Sequence, residues 1–527
     1  MHLYPFRRVI EETHPWIVMS SYNDWNGEPV SASHRFLTEI LRDEYGFDGY
    51  VVSDSEAVEF VHTKHAVAES YDEAVRMVLE AGLNVRTHFT PPADFIMPVR
   101  RLMESGKISM DVIDKRVSEV LAVKFRMGLF DNPYRADPDA ADKYVGADKH
   151  QDFITDMQRQ ALVLLKNDGD LLPLDKNAIK SILVTGPLED EDNFMTSRYG
   201  PNGLATVTVL EGLKSYLDGT GTEVTYEKGC ETIDSMWPES ELYPAVLTDE
   251  EKAMINNAVK AAEKADAVIA VMGEDDWCVG ESRSRTSLEL PGRQRELLTA
   301  LHSTGKPVIL VLINGQPLSI NWENRNLPAI LEAWFPGYRG GEIIAQTLFG
   351  DYNPSGKLTV TFPKTAGQVE YNFPFKKGSH GTQPTYGPNG SGITRVLGSI
   401  YPFGYGLSYT SYSYGNINVD VTGNAAEGFE VKVSADITNT GGRAGEEIVQ
   451  LYVRDKVSSV VTYDSVLRGF EKASLGPGET KRVSFSIGKE HLQILDSNME
   501  WTVEPGEFEI MLGASSEDIR LRQTITL

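Results

Sequence analysis

Short apolar runs alternate with amphipathic helical patterns over the first 130 or so residues. Predicted strands lie at Trp16–Ser21, Tyr50–Val52 and Gly82–Val85. The continuous apolar run Tyr50–Val52 is typical of a strand buried on both faces of a parallel sheet. Apolar residues recur at helical spacing in 70–80 and in 111–127. Strands that alternate with helices in this way predict parallel βα units.

A second α/β pattern begins after the polar, proline-containing stretch 131–139. Its predicted helices lie near 249–264, 292–303 and 341–348, and a further helix near 152–165 precedes it. Its predicted strands are 181–185, 223–226, 267–272, 307–313 and 357–361. The pattern predicts a second α/β domain.

From about residue 409 the hydrophobic period changes to two. Apolar and polar residues alternate in Phe429–Ala435, Val449–Val453, Val483–Ile487 and Phe508–Ile510, and turns rich in glycine separate these runs. Short alternating strands of this kind predict a β-sandwich of about 120 residues.

Composition narrows the choice of partners. The hydrophobic fraction of 41% and the charged fraction of 24% are those of an ordinary globular protein. A net charge of -26 disfavours nucleic acid and anionic membranes, whose charge would repel the chain. A neutral substrate such as a sugar fits this charge.

Neither cysteines nor terminal segments fix the compartment. Cys230 and Cys278 are the only cysteines, so no disulfide framework is predicted. No apolar run reaches the roughly 18 residues of a membrane span, and Met1–Arg8 has no apolar signal core. We therefore expect a soluble protein without a visible signal peptide, and its location stays unknown.

One carboxylate stands at the end of a predicted strand. Gly46–Asp54 is a turn that leads into an apolar strand and ends on Asp54. A carboxylate at the carboxyl end of a buried parallel strand is typical of a catalytic residue. Asp is also a favoured helix N-cap, and local sequence gives these two interpretations about equal weight.

A second candidate region is the charged loop after the predicted strand 267–272. It contains Glu274 and Glu281, and loops at the carboxyl ends of parallel strands are where α/β sheets bind ligands. Glycoside hydrolysis needs two carboxyl groups, which Asp54 and this loop could supply. The alternative is a solvated acidic loop. Trp277 could stack on a sugar ring or serve only in packing.

Several stretches together resemble glycoside hydrolase family 3, the β-glucosidase and β-xylosidase family. Gly46–Asp54 resembles its nucleophile motif. The other matching stretches, in family order, are 18–27 (VMSSYNDWNG), 124–133 (KFRMGLFDNP), 161–174 (ALVLLKNDGDLLPL), 348–363 (LFGDYNPSGKLTVTFP) and 401–409 (YPFGYGLSY). They span nearly the whole chain.

The resemblance implies specific roles. Asp54 matches the nucleophile, and Glu281 best matches the acid/base residue of the family's second domain, with Glu274 as the fallback. Met19 and Tyr22 match positions that line the subsite for the non-reducing sugar. Ser55 stands where the family usually has a Trp that supports a sugar.

The resemblance also implies the domain organisation of an α/β multidomain protein. We expect a partial (β/α)8-type barrel at 1–135, an α/β sandwich domain at 161–375 and a fibronectin type III-like domain at 408–527, joined by a linker at 136–160 and a linker loop at 376–407. The family's barrel has further βα units before the matching region. We therefore expect a homodimer in which a second copy covers the open barrel and completes the active site. The alternatives are that a separate polypeptide carries the missing βα units, or that the sequence is a fragment of a longer reading frame.

The implied activity is that of a retaining, exo-acting β-glycosidase. A β-glucosidase that hydrolyses terminal non-reducing β-D-glucosyl residues of small oligosaccharides or aryl glucosides is the first expectation. β-Xylosidase and a catalytically impaired sugar-binding relative are the alternatives. The mechanism predicts carboxyl groups about 5–5.5 Å apart, an ionised Asp54 and a Glu281 whose pKa is raised by partial burial. It requires no metal or organic cofactor.

Overall fold

The structure, a computed structural model, describes residues 2–134, 137–190, 195–196, 199–200, 205–243, 245–368, 371–379 and 396–527. The chain divides into two compact units, Met1–Gly146 and Ala147–Leu527, and each has its own hydrophobic core. Residue 135, the predicted end of the barrel, lies outside the described residues.

The first unit is built on two parallel strands, β1 (Ile17–Met19) and β2 (Tyr50–Val52). Met19 lies opposite Val52, and Val85 extends the sheet through a parallel bridge to Val52. A short hairpin pairs Asp24–Trp25 with Glu28–Pro29. The helices of this unit are Leu3–Thr13, the π-helix Arg35–Glu44, Ala57–Thr63, Tyr71–Ala81, Ala93–Glu104, Met110–Arg126 and Pro138–Tyr144, with a 3-10 turn at Val30–Ala32.

The helix Tyr71–Ala81 shows how local sequence sets these elements. Ser70 caps it, because its side-chain oxygen accepts a hydrogen bond from the Glu73 N–H. Its apolar positions at helical spacing are buried in the core of the unit. Gly82 ends it with a φ of 128°, and the Gly82 N–H donates to the Val78 carbonyl. The helix therefore runs where its periodicity predicts.

The stretch 136–160, predicted to be a linker, is largely helical. It contains the helix Pro138–Tyr144 and most of the helix Asp148–Ala161. Asp137 caps the first of these with a side-chain oxygen that accepts from the Asp139 N–H. Polar residues in this stretch therefore lie on exposed helix surfaces as well as in connecting segments.

The second unit contains a six-stranded mixed sheet. Its strands are β3 (Val163–Asn167), β4 (Ser181–Thr185), β5 (Glu223–Glu227), β6 (Ala267–Gly273), β7 (Val308–Ile313) and β8 (Ala329–Glu332). Their order is β3-β8-β7-β6-β4-β5. Only the pair of β3 and β8 is antiparallel.

The prediction of a strand at 357–361 is wrong. That segment lies against a loop, where the Leu358 N–H donates to the Tyr405 carbonyl and the Gly404 N–H donates to the Leu358 carbonyl. The sheet instead uses β3 and β8. The helix predicted near 152–165 includes the first three residues of β3, but the helix ends at Ala161 and the strand starts at Val163.

Helices cover both faces of this sheet. Alternate residues of each central strand enter separate cores, as Ile269 and Val268 of β6 do. Helices Val209–Leu217 and Gly340–Leu348 contribute to one core, and Asp249–Ala262 and Gln294–His302 contribute to the other. Short elements complete this part of the unit: the turns Asp168–Asp170 and Glu239–Glu241 and the helix Asn321–Asn326. The predicted α/β layer architecture is confirmed.

The C-terminal part is a β-sandwich, as predicted. One sheet pairs β9 (Tyr412–Asn424), β10 (Gly428–Asn439) and β13 (Thr480–Ile487), and the other contains β11 (Gly445–Asp455), β12 (Val466–Leu475), β14 (Glu507–Gly513) and β15 (Ile519–Thr526). Minor elements are the strand pairs Phe362–Pro363 with Ser399–Tyr401 and Ile494–Leu495 with Trp501–Thr502, and the helix Lys489–Leu492.

Two further predictions concern loops and membranes. Within the predicted linker loop 376–407, residues 380–395 lie outside the described residues. Across the part of the chain that the structure describes, no helix combines the length and the apolar character needed to cross a membrane.

Candidate active site

Asp54 lies just beyond the carboxyl end of β2, where the sequence predicts it. The strand is fixed there because the Ser53 N–H donates to the Val85 carbonyl at 2.8 Å and the Ser53 side-chain oxygen accepts from the Thr87 N–H at 2.9 Å. The Asp54 carboxylate is half-buried. Its Oδ1 accepts a hydrogen bond from the Ser55 N–H at 2.6 Å.

The next helix does not use Asp54 as its cap. The residue at the N-cap position of Ala57–Thr63 is Glu56, in a left-handed conformation with a φ of 65°, and no side-chain bond caps the helix. The Asp54 carboxylate is therefore not committed to the role that rivals catalysis.

Two predicted sugar-contacting residues share this edge of the sheet. Met19 ends β1 directly beside Val52 of β2, and its side chain is exposed. Tyr22 follows in the next loop and packs its ring on Phe60, with centroids 5.3 Å apart. Met19, Tyr22 and Asp54 thus all lie at or beyond the carboxyl ends of neighbouring parallel strands, which is the usual place for ligand binding in such sheets.

In the second unit, the two candidate acid/base residues occupy opposite environments. Both lie in the loop after β6. Glu274 is fully buried, whereas Glu281 is exposed. Glu281 accepts a hydrogen bond from the Tyr199 hydroxyl. The partial burial expected for Glu281 is therefore not found.

Glu274 is held by its surroundings. Its Oε1 accepts hydrogen bonds from Arg285 and from the Gln316 amide, the latter at 2.6 Å. Burial raises the pKa of Glu274, and the charge of Arg285 and the Gln316 hydrogen bond act in the opposite direction. A carboxyl group enclosed in this way has no open side towards a substrate.

Trp277 lies at the outer part of the same loop. Its side chain is 56% exposed, and the Arg283 guanidinium lies over its ring, 5.1 Å from the centroid. The loop turns before it because Asp275 Oδ1 accepts from the backbone N–H groups of Trp277 and Cys278. An exposed indole with one face next to a cation is suited to stacking against a sugar.

The structure adds residues that sequence reasoning missed. Tyr199 contacts Glu281 from 82 positions away, and Glu241 contacts Arg285 from 44 positions away. No local signal marks either residue, because each is brought to the loop only by the tertiary fold. Among the described residues, no group of three or more His, Cys, Asp or Glu side chains is arranged to hold a metal ion.

Comparison with known proteins places this fold among the glycoside hydrolases. Residues 1–123 match the N-terminal domain of glycosyl hydrolase family 3, 162–409 match its C-terminal domain, and 447–516 match a fibronectin type III-like domain. A β-xylosidase of Formosa agariphila is 39% identical over 530 residues, covering 98% of this chain and 70% of the relative. The chain belongs to glycoside hydrolase family 3, and the predicted family and enzyme class are confirmed.

Other relatives carry different names. A periplasmic β-glucosidase of Salmonella typhimurium is 37% identical over 521 residues, covering 95% of this chain and 66% of the relative. The solved β-glucosidase of Erythrobacter marinus is 35% identical, with a TM-score of 0.89, and the match covers 100% of this chain and 69% of that one. The chain spans about two thirds of the length of these relatives.

Proposed function

We propose that this chain carries the two catalytic carboxylates of a retaining, exo-acting β-glycosidase. Asp54 attacks the anomeric carbon and forms a glycosyl-enzyme. Glu281 protonates the leaving oxygen and then deprotonates the incoming water. The expected substrates are small oligosaccharides or aryl glycosides with a terminal non-reducing β-D-glucosyl residue.

The contrast between Glu281 and Glu274 is the observation that carries the assignment. Both are glutamates of the loop after β6, but Glu281 is exposed and Glu274 is enclosed by Arg285 and Gln316. An acid/base residue must reach the glycosidic oxygen. This favours Glu281 over the fallback. The Asp54 carboxylate does not cap the following helix, which supports its role as the nucleophile.

A panel of 4-nitrophenyl β-glycosides tests the proposal. We expect Asp54→Ala to lose hydrolysis by several orders of magnitude. Asp114→Ala, an exposed carboxylate on another helix of the same unit, serves as the matched control. Full activity in Asp54→Ala would overturn the nucleophile assignment, and an inactive wild type would favour the sugar-binding relative.

The acid/base role has its own signature. Glu281→Ala should regain turnover with sodium azide and release a β-glycosyl azide, because the small anion attacks the glycosyl-enzyme without base assistance. Asp276→Ala, an exposed carboxylate of the same loop, should behave as wild type. If Glu274→Ala, and not Glu281→Ala, shows azide rescue, the two glutamates exchange roles.

A β-xylosidase is the second candidate, because relatives with that name are among the most similar. The Formosa agariphila protein is one of them, and the Listeria innocua β-glucosidase, solved with glucose and with laminaribiose, represents the other specificity at 29% and 28% identity. The ratio of kcat/KM for the β-glucoside and the β-xyloside decides between them.

We further propose that the chain forms a homodimer through β1. The apolar side chains of Trp16 and Ile17 are 44% and 47% exposed. Of the described strands, only β2 pairs with β1. Exposed apolar side chains of this kind can pack against the same surface of a second copy. Sedimentation should show a dimer at micromolar concentration that Ile17→Lys dissociates. A monomeric wild type would refute the homodimer. Co-purification of a different polypeptide would show that another chain covers this surface.

A further inference from the structure

Arg285 ties together the two ends of the loop that carries Glu281. The loop starts at Glu274, directly after β6, and Arg285 closes it. The side chains of Arg285 and Glu274 are only 5% and 0% exposed. The loop tip, with Trp277 and Glu281, is exposed instead. The ion pair therefore closes a loop whose exposed middle carries the proposed acid/base residue.

All three guanidinium nitrogens of Arg285 are engaged. Nε donates to Glu241, Nη1 donates to Glu274, and Nη2 donates to the Glu289 carbonyl at 2.8 Å. Glu241 comes from a separate turn and also accepts from the backbone N–H and the hydroxyl of Thr286, both at 2.8 Å. The planar fork of an arginine fixes several partners in one geometry, which a lysine cannot reproduce.

The backbone between the ion pair and Glu281 is short and strained. Ser282, next to Glu281, has a left-handed φ of 64°, which a serine rarely adopts. The turn at this point is closed by the Arg283 N–H, which donates to the Gly280 carbonyl. Such a conformation persists only where surrounding contacts impose it, and Arg285 lies three residues beyond Ser282.

We propose that Arg285, through Glu274 and Glu241, is a positioning residue that sets the place of the Glu281 carboxyl. The inference rests on the proposed acid/base role of Glu281. Loss of the ion pair lets the loop relax, and Glu281 then no longer protonates the leaving oxygen at the correct distance. Proton transfer suffers, while attack by the nucleophile on a substrate with a good leaving group does not.

The competing interpretation is that the ion pairs serve stability alone. Removing one partner of a buried pair destabilises a protein because the other charge is left unpaired. A purely structural defect lowers kcat/KM for all substrates by the same factor, since it reduces the amount of folded enzyme. A positioning defect depends on the leaving group. The two interpretations therefore differ in the ratio of kcat/KM for two substrates with different leaving groups. The concentration of folded enzyme does not affect this ratio.

The test compares phenyl and 2,4-dinitrophenyl β-glycosides of the preferred sugar. Dinitrophenolate leaves without protonation, whereas phenolate needs the acid. For Arg285→Lys we expect kcat/KM to fall about 10- to 100-fold on the phenyl substrate, as for a misplaced catalytic group, and to stay close to wild type on the dinitrophenyl substrate. Arg293→Lys alters another largely buried ion pair, the one with Glu251. It should leave the ratio of kcat/KM for the two substrates as in the wild type.

A second variant covers the case in which Arg285→Lys does not fold. The triple variant Arg285→Gln, Glu274→Gln, Glu241→Gln removes the three paired charges together and leaves amides that can still bond to each other. It should show the same selective loss. Equal losses on both substrates, or no loss, would overturn the positioning role.

Glu281→Ala, measured in parallel, separates this outcome from failure of the proposed function. If Glu281→Ala shows the leaving-group dependence and the Arg285 variants do not, only the positioning role fails. If Glu281→Ala lacks the dependence, the acid/base assignment itself is wrong.

Discussion

Arg42 donates a hydrogen bond to Asn84 within the first unit, with 3.1 Å between Nη2 and Oδ1. The same Asn84 oxygen accepts from the Val51 N–H at 2.8 Å, and the Asn84 amide donates to Glu119 at 2.6 Å. Arg42 also donates to the Gly49 carbonyl at 2.9 Å. Together these bonds hold β2, the strand that leads to the proposed nucleophile.

Asn84→Ala should therefore destabilise the first unit. It leaves the Val51 N–H without its side-chain acceptor and removes one of the donors to the Glu119 carboxylate, which costs about 2 kcal/mol. The midpoint of urea unfolding should fall accordingly. Asn23→Ala, at an exposed position of the same unit, should change the free energy of unfolding by less than about 0.5 kcal/mol. Equal effects of the two substitutions would contradict the bracing role.

Gly273 is a second position at which a substitution should have a large effect on stability. It ends β6 with a φ of 142°, and a Cβ atom there would lie 1.8 Å from the Ile313 carbonyl oxygen. The buried Gln294 side chain bonds both its N–H and its carbonyl. Gly273→Ala should therefore abolish soluble expression or shift unfolding drastically, because the clash is with backbone.

Gly305→Ala is the matched control for backbone conformation. Gly305 also has a positive φ, of 73°, but nothing lies within 4 Å of a Cβ placed there. That substitution should cost only about 1–2 kcal/mol, the price of a left-handed residue. A stable Gly273→Ala protein would show that β6 and β7 can separate locally.

The strands that sequence reasoning found are those whose pattern is local. Apolar runs such as Ser181–Thr185 and Ala267–Met272 need no long-range information, and the structure has strands there. β8 was missed because Glu332 interrupts its apolar run. Glu332 is fully buried in the sheet, and its carboxyl accepts hydrogen bonds from the Trp334 N–H and the Asn314 amide. The Asn314 amide comes from 18 positions away, so only the tertiary fold supplies that donor.

The candidate site likewise contains features that local sequence predicts and features that depend on the tertiary fold. Asp54 could be placed from the strand before it, and Glu281 from the motif around it. Which glutamate of the loop is accessible depends on Gln316 and Arg285, which enclose Glu274 in the folded protein. Spacing along the chain does not encode that enclosure, so the sequence left the choice between the two glutamates open.

Glu189 gives a pH-dependent prediction. It follows β4, is buried, and burial raises its pKa to about 7, although a hydrogen bond from Tyr226 opposes the shift. The folded protein therefore binds this proton more tightly than the unfolded chain does. Its contribution favours folding at acidic pH and is lost as the pH rises from the usual carboxyl range through about 7.

Glu189→Gln should accordingly stabilise the protein at alkaline pH. The gain should approach about 3 kcal/mol near pH 8 and vanish near pH 4, because the neutral amide pays no desolvation cost for a charge. Thermal unfolding across this range measures it. Glu223→Gln, at the exposed start of β5, should show no such trend. A shift of the same size at both ends of the range would exclude titration as the cause.

Trp277 provides a prediction about the leaving part of the substrate. It lies in the loop that carries Glu281, with its ring exposed and Arg283 over it. If the ring stacks on the sugar next to the scissile bond, Trp277→Ala removes contact only from substrates that have a sugar there. A stacking contact of about 1 kcal/mol corresponds to a several-fold loss.

We therefore expect Trp277→Ala to raise KM several-fold for a β-linked disaccharide and to leave kcat/KM for the methyl glycoside of the same sugar near wild type, since methanol offers no ring to stack on. Trp277→Phe should recover part of the loss, because an aromatic face remains. Trp501→Ala, in the β-sandwich, controls for removal of a partly exposed indole elsewhere. Equal KM values for wild type and Trp277→Ala on the disaccharide would assign Trp277 to packing with Arg283 and exclude it from substrate binding.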